Sequence, residues 1–319
     1  MAGQLDTPSA PAGSASDGGG ATTPVAAVRH PPLPIVVGCP RSGTSLLAVM
    51  LDSHSQLAMT PEMGFLVPVT RLEGGGEALR QQLFDAVTSP ERGFSTWADC
   101  GIDEAVYRRR LEAIEPFTAA EGVRTFYALY AELHGKPRCG DKKPHYVGAL
   151  PAIGALLPEA HFVHIIRDPR DTILSWRRTW FAPSQDLAVL ARGWLEHVAA
   201  GRRGARSVAH YLEVRYEKLV LDPERVLRRV CDFIGLPYER AMLDYEARGE
   251  ARIASLRERT GADGSVAVSR EARSRIHANL ARPPLAGRVR AWEREMSADD
   301  RRRVESVLGP VLEQLGYEG

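Results

Sequence analysis

The chain has 319 residues, 44% of them hydrophobic and 25% charged, enough to build one large domain or two small ones. Its formal net charge of +1 argues against bulk electrostatic binding to nucleic acid or an anionic membrane, so any anion site has to be local. Four scattered cysteines, Cys39, Cys100, Cys139 and Cys231, contain no C-x-x-C pair, which fits reduced thiols in a cytoplasmic protein better than a disulfide framework or zinc site.

Residues 1–33 are rich in Gly, Ser, Ala, Thr and Pro and have no basic segment followed by an apolar one. They read as a disordered tail and not as a signal peptide, and residues 34–319 as the domain. The apolar stretch "ALPAIGALLPEA" is too short and too proline-interrupted to span a bilayer.

The domain opens with Ile35-Val36-Val37, a short apolar strand, which runs into Gly38-Cys39-Pro40-Arg41-Ser42-Gly43-Thr44-Ser45 and an apolar-periodic helix. A strand, a glycine turn and a helix N-terminus point several backbone N–H groups at one spot and add the positive end of the helix dipole, which suits an anion. The glycine spacing is that of nucleotide-triphosphate loops, G-x-x-x-x-G-K-[ST], but Thr44 stands where the lysine belongs. Arg41 supplies a cation inside the loop instead.

Further on, polar helical segments are expected over Glu77–Val87 and Glu104–His134. "HFVHIIR", His161 to Arg167, is a strand followed by a helix start: Asp168 caps, Pro169 takes the first helical position, and Asp171 faces the positive dipole end. "YLEVRY", Tyr211 to Tyr216, is a strand followed by "DPERVLRRVCDFIGL". Strands alternating with helices imply a parallel sheet covered on both faces, a three-layer α/β fold of the P-loop type. The segment from Arg252 to Ala286 is charged and irregular, a loop or lid, and Val304, Val307, Leu308, Val311, Leu312 and Leu315 form the packing stripe of a last helix.

The string "PRSGTSLLAVMLDSHSQLAMTPE" resembles the 5′-phosphosulfate loop of sulfotransferases that use 3′-phosphoadenosine 5′-phosphosulfate (PAPS), most closely the tyrosylprotein and bacterial branch. The resemblance runs from Pro34 to Trp292 in four ordered blocks and implies sulfuryl transfer without a metal to a hydroxyl of a small-molecule, glycan or peptide acceptor. It places Arg41, Ser42, Gly43, Thr44 and Ser45 on the donor's 5′ end. Arg167, with Ser175 eight residues on, matches the 3′-phosphate site, and Tyr216 in "VRYEKLV" a cofactor contact. Glu62 matches the general base, and "CGDKKPHYV" the D-K-x-P block that sets Lys142 by the bridging oxygen. His145 is the rival base, since the cytosolic branch uses a histidine after K-x-H. His54 and His164 read as structural. One departure is Arg288 near an expected C-terminal serine before Trp292, which leaves Arg288 or Arg290 as the local 3′-phosphate contact. Two rival readings fit the same residues, a P-loop kinase using ATP and magnesium with Asp168 as its acidic residue, and a nucleotide-binding module without turnover.

Overall fold

A computed structural model describes residues 30–88, 96–261 and 264–317. Most of the expected tail lies outside these residues. The first strand begins at Leu33, one residue before the expected domain boundary.

Five strands form one sheet in the order β2-β3-β1-β4-β5. They are β1 (Leu33–Gly38), β2 (Leu57–Met59), β3 (Arg138–Lys142), β4 (Ala160–Ile166) and β5 (Tyr211–Arg215). All four pairings are parallel, with β1 held between β3 (Val36 opposite Lys142) and β4 (Gly38 opposite Ile165). Alternation along β1 serves both faces. Ile35 and Val37 pack with Phe162 against the Ala119–Leu133 helix, whereas Val36 packs with Val163 and Ile165 against the Thr44–Asp52 and Pro223–Ile234 helices. Both faces are therefore dry, which is why the strands read as apolar runs and not as alternating ones. A further apolar cluster joins Trp176, Leu190 and Trp194 to Val304, Leu308, Leu312 and Leu315, the stripe expected of the C-terminal segment.

Three expectations change. The helical stretch Glu104–His134 is two helices, Glu104–Glu112 and Ala119–Leu133, because Pro116 cannot continue the first one. The stripe near the C-terminus is likewise divided by Gly309 and Pro310 into helices Ala298–Leu308 and Val311–Gln314. The segment read as irregular is mostly ordered: a helix Glu246–Ser255, a two-stranded hairpin (Arg259–Thr260 with Val266–Val268) and a helix Arg270–His277. No helix among the described residues is long and apolar enough to cross a membrane.

Parallel strands put all their carboxyl ends on one edge, where ligands of open α/β sheets bind. The loop residues, Glu62, Lys142, Arg167 and Tyr216 all sit there. The loop follows β1, Glu62 follows β2, Lys142 ends β3, Arg167 follows β4 and Tyr216 follows β5.

Candidate active site

The loop after β1 is built around its two glycines. Gly38 has φ +154°, and a Cβ there would stand 2.6 Å from the Ile165 carbonyl oxygen. Gly43 has φ +103° and caps the Thr44–Asp52 helix, and a Cβ there would reach within 2.4 Å of the Tyr216 ring. Arg41 also takes a left-handed backbone conformation, φ 71°, unusual for a residue with a side chain and one that persists only where the surrounding structure holds it. Its side chain donates from Nε to Ser175 Oγ at 3.1 Å and from a terminal nitrogen to the Ile276 carbonyl at 3.3 Å. Burial lowers the Arg41 pKa, and the neighbouring Arg167 cation lowers it further.

Arg167 is buried, with its guanidinium 4.3 Å over the Tyr216 ring. It donates to the carbonyls of Arg41 (3.4 Å) and Arg288 (2.8 Å) and pairs with Asp171 at 3.6 Å. Asp171 in turn accepts the backbone N–H groups of Arg290 (3.0 Å) and Trp292 (2.8 Å), tying the C-terminal segment to the site. Two polar atoms here, Ser42 Oγ and Arg167 Nε, are buried with no hydrogen-bond partner among the described residues. Unpartnered buried atoms are costly; Arg167 lines one of two cavities over the loop and can be satisfied by an anionic group there, whereas Ser42 lines neither.

Glu62 and Lys142 form the second half of the site. Glu62 Oε2 lies 2.5 Å from Lys142 Nζ, and Oε1 lies 3.8 Å from Lys143 Nζ. Burial pushes the Glu62 carboxyl up, but Lys142 and Lys143 outweigh it and hold the group well below the usual carboxylate range. Burial lowers the Lys142 ammonium, and Glu62 offsets that shift only in part. Strand β3 is held in place by Asp141, which accepts from Thr60 Oγ1 (2.7 Å), Tyr127 OH (2.8 Å) and the Lys142 N–H (2.6 Å).

Two cavities meet over the loop. One, of 340 Å³, is lined by Gly43, Arg167, Ser175, Tyr216 and Arg288 among others. The other, of 240 Å³, holds Glu62, Lys142 and His145 together with Trp176, Trp180 and Phe181. Arg41, Thr44 and Ser45 belong to both.

The cluster thus gathers Arg41, Ser42, Gly43, Thr44, Ser45, Arg167, Ser175 and Tyr216 on one side and Glu62 and Lys142 on the other. His145 is exposed at the wall of the second cavity, its ring 5.6 Å from that of His197. Arg288 lines the first cavity, whereas the Arg290 side chain turns to Glu293 at the surface. His54 bonds to the Pro237 carbonyl oxygen at 2.8 Å and His164 to Tyr211 OH at 2.6 Å, both away from the cavities. Asp168, the acid of the kinase reading, caps its helix and pairs with Arg170 at 2.8 Å, and it lines neither cavity. Met63–Val69 and the helices around Arg108–His134 pack into the core and not around the second cavity, because their apolar faces close the sheet. The lid supplies what the sequence left unassigned: Arg252, Leu256, Arg259, Arg273 and His277. Their only sequence signal is the density of charge between Arg252 and Ala286.

The sequence signature of the sulfotransferase family matches residues 32–240. The chain is 25% identical over 311 residues to protein-tyrosine sulfotransferase 1 of Danio rerio, spanning 93% of this chain and 75% of that one. It is 25% identical over 316 residues to the nodulation protein NoeE of Sinorhizobium fredii, spanning 90% and 67%. Among solved structures, the sulfotransferase domain of the curacin biosynthetic pathway superposes with a TM-score of 0.58 at 20% identity, covering 91% of this chain and 99% of that one. The sulfotransferase domain of the Synechococcus olefin synthase gives 0.52 at 21% identity, covering 87% and 95%. A lysine-free phosphate loop on a central parallel strand, with its partner residues on the neighbouring strand ends, is the local counterpart of that match along the chain: the protein belongs to the sulfotransferase family.

Proposed function

We propose that this enzyme transfers a sulfuryl group from PAPS to a hydroxyl of a small-molecule or glycan acceptor. The observation that carries the proposal is the meeting of two cavities at Arg41, Thr44 and Ser45, with donor-type cations in one and a carboxylate–lysine pair in the other. PAPS supplies an activated sulfuryl group whose leaving 5′-phosphate needs its growing charge neutralised. The loop N–H groups, Ser42 and Arg41 hold the 5′ end. Arg167, Ser175 and Arg288 take the 3′-phosphate, and Tyr216 supports Arg167 from below.

Lys142 neutralises the bridging oxygen, and in doing so gives up its contact with Glu62. Glu62 then loses the larger of the two lysine influences that depress it, regains proton affinity and takes the acceptor proton. General-base catalysis requires a proton affinity near the working pH, which Glu62 gains only when Lys142 turns to the bridging oxygen. The acceptor cavity, small and walled by Trp176, Trp180 and Phe181, suits a compact ring or the tip of a longer chain. The free thiols of Cys39, Cys100, Cys139 and Cys231, all buried, support a reducing compartment such as the cytoplasm.

Thermal melting with adenosine 3′,5′-bisphosphate (PAP), the product nucleotide, tests the proposal. PAP raises the melting temperature without magnesium, and more than AMP does. Equal stabilisation by AMP means that Arg167 and Ser175 do not hold a 3′-phosphate. Incubation with labelled PAPS and a panel of hydroxylated small molecules, glycans and peptides then identifies the acceptor.

A further inference from the structure

The two cavities share more than a floor. Arg41, Thr44 and Ser45 line both from below, and Ile276, His277 and Leu280 line both from above. A group passing from donor to acceptor crosses between these two sets. Ile276 and Leu280 are apolar, so His277 is the one polar side chain that the roof offers at the crossing. It closes the Arg270–His277 helix, which Ser269 caps and which Arg273 pins by paired bonds to Asp99 at 3.0 and 2.6 Å. The helix is also held directly to the loop, through the Arg41 contact to the Ile276 carbonyl at 3.3 Å.

We propose that His277 is a catalytic residue of the sulfuryl transfer, a neutral imidazole whose N–H donates a hydrogen bond from the roof to an oxygen of the sulfuryl group in flight. The inference rests on the PAPS reading above. As the acceptor oxygen bonds to sulfur, the bond from sulfur to the bridging oxygen breaks. That oxygen keeps the electron pair on the 5′-phosphate, and the acceptor proton goes to Glu62. By analogy with phosphoryl transfer, charge spreads over three equatorial oxygens in such a step. The loop serves some of those oxygens, and of the three lid residues common to both cavities only His277 has a polar side chain to serve another.

The surroundings keep the imidazole uncharged. Burial and the cations of Lys142, Arg41 and Arg273 lower its pKa to about 3, against a smaller opposite pull from Glu62. A neutral imidazole retains one N–H to donate. At so low a proton affinity it is a poor base, which leaves the proton to Glu62.

The test compares His277→Ala with His277→Asn and His277→Gln, which place an amide N–H near Nδ1 and Nε2 respectively. The alanine variant loses about 10²–10³-fold in kcat, the usual cost of one oxyanion donor. At least one amide variant recovers tenfold or more of that loss, on the order of one neutral hydrogen bond. By calorimetry, His277→Ala weakens PAPS more than PAP, because only PAPS carries the sulfuryl oxygens. If both amide variants are as inactive as alanine, His277 is a base and the donor role is overturned. If PAPS and PAP weaken together and the melting temperature falls with them, His277 only packs the lid. Wild-type protein that binds neither nucleotide sinks the PAPS reading itself, an outcome separate from the behaviour of the variants.

Discussion

Arg41 and Ser175 are 134 residues apart in the chain and joined by a 3.1 Å hydrogen bond from Nε to Oγ. The phosphate loop after β1 and the Arg167/Ser175 pair after β4 look like two independent anion sites in the sequence. They are one construction: Ser175 steadies Arg41, and Arg167 donates to the Arg41 carbonyl at 3.4 Å. A change on either side is therefore felt on both.

That linkage alters what Arg167→Ala does. The family resemblance gives Arg167 one partner, the 3′-phosphate. In the structure it also bonds the Arg288 carbonyl at 2.8 Å and faces Asp171, whose side chain is buried. Removing it leaves that carboxylate without its cation, so the variant melts at lower temperature as well as binding PAP more weakly. The affinity loss is about 2–3 kcal/mol, the range for a charge-assisted contact at a partly buried site. Calorimetry on the folded variant at reduced temperature separates the two effects, and unchanged PAP affinity removes Arg167 from the donor site.

Glu62→Gln keeps size and packing but removes the proton acceptor. Turnover falls by roughly 10²–10⁴-fold, the range for losing general-base catalysis. PAPS affinity barely moves, because in the proposed reading the donor is held by Arg41, the loop and Arg167 and not by Glu62. His145→Ala costs far less, consistent with a ring that is exposed and rests edge-on against His197. Kinetics with the identified acceptor decide between them. The reverse pattern, with Glu62→Gln near wild type and His145→Ala nearly dead, transfers the base role to His145 and leaves the sulfuryl transfer itself in place.

His164 makes stability pH-dependent. It is fully buried between Tyr211 and the Leu187–Gly204 helix, and burial lowers its pKa from the ordinary 6.5 to about 4. The unfolded chain therefore binds the proton more readily than the folded one between those values. Its contribution is complete above pH 6.5 and is lost as pH falls towards 4, by about 3 kcal/mol at most. His277 acts in the same direction at still lower pH. Denaturant unfolding of wild type and His164→Asn, which keeps a hydrogen-bonding group at the Nδ1 position beside the Tyr211 hydroxyl but does not titrate, checks this. The difference in stability between the two should shift in favour of the variant as the medium is acidified. Parallel pH profiles would show that His164 does not carry the effect.

The sequence by itself determined the sheet-and-helix alternation, the loop after β1, the Asp168 cap and the ordered blocks that carry Glu62, Lys142, Arg167 and Tyr216. These are local features: apolar runs, glycine turns and caps act within a few residues, and they are legible wherever neighbours in sequence are neighbours in space. Strand β3 escaped that logic. Its residues Arg138, Cys139, Gly140, Asp141 and Lys142 lack the apolar pattern of a buried strand, because tertiary bonds from Thr60 and Tyr127 to Asp141 satisfy what the pattern cannot. The lid escaped it too, since the Arg270–His277 helix owes its place to Arg273 on Asp99, a partner far away in the chain. Only the folded molecule decided that Lys142 pairs with Glu62 and that His277 lines both cavities. Both follow from which strand ends and which helix end share one edge of the sheet, a matter of long-range packing that no local pattern encodes.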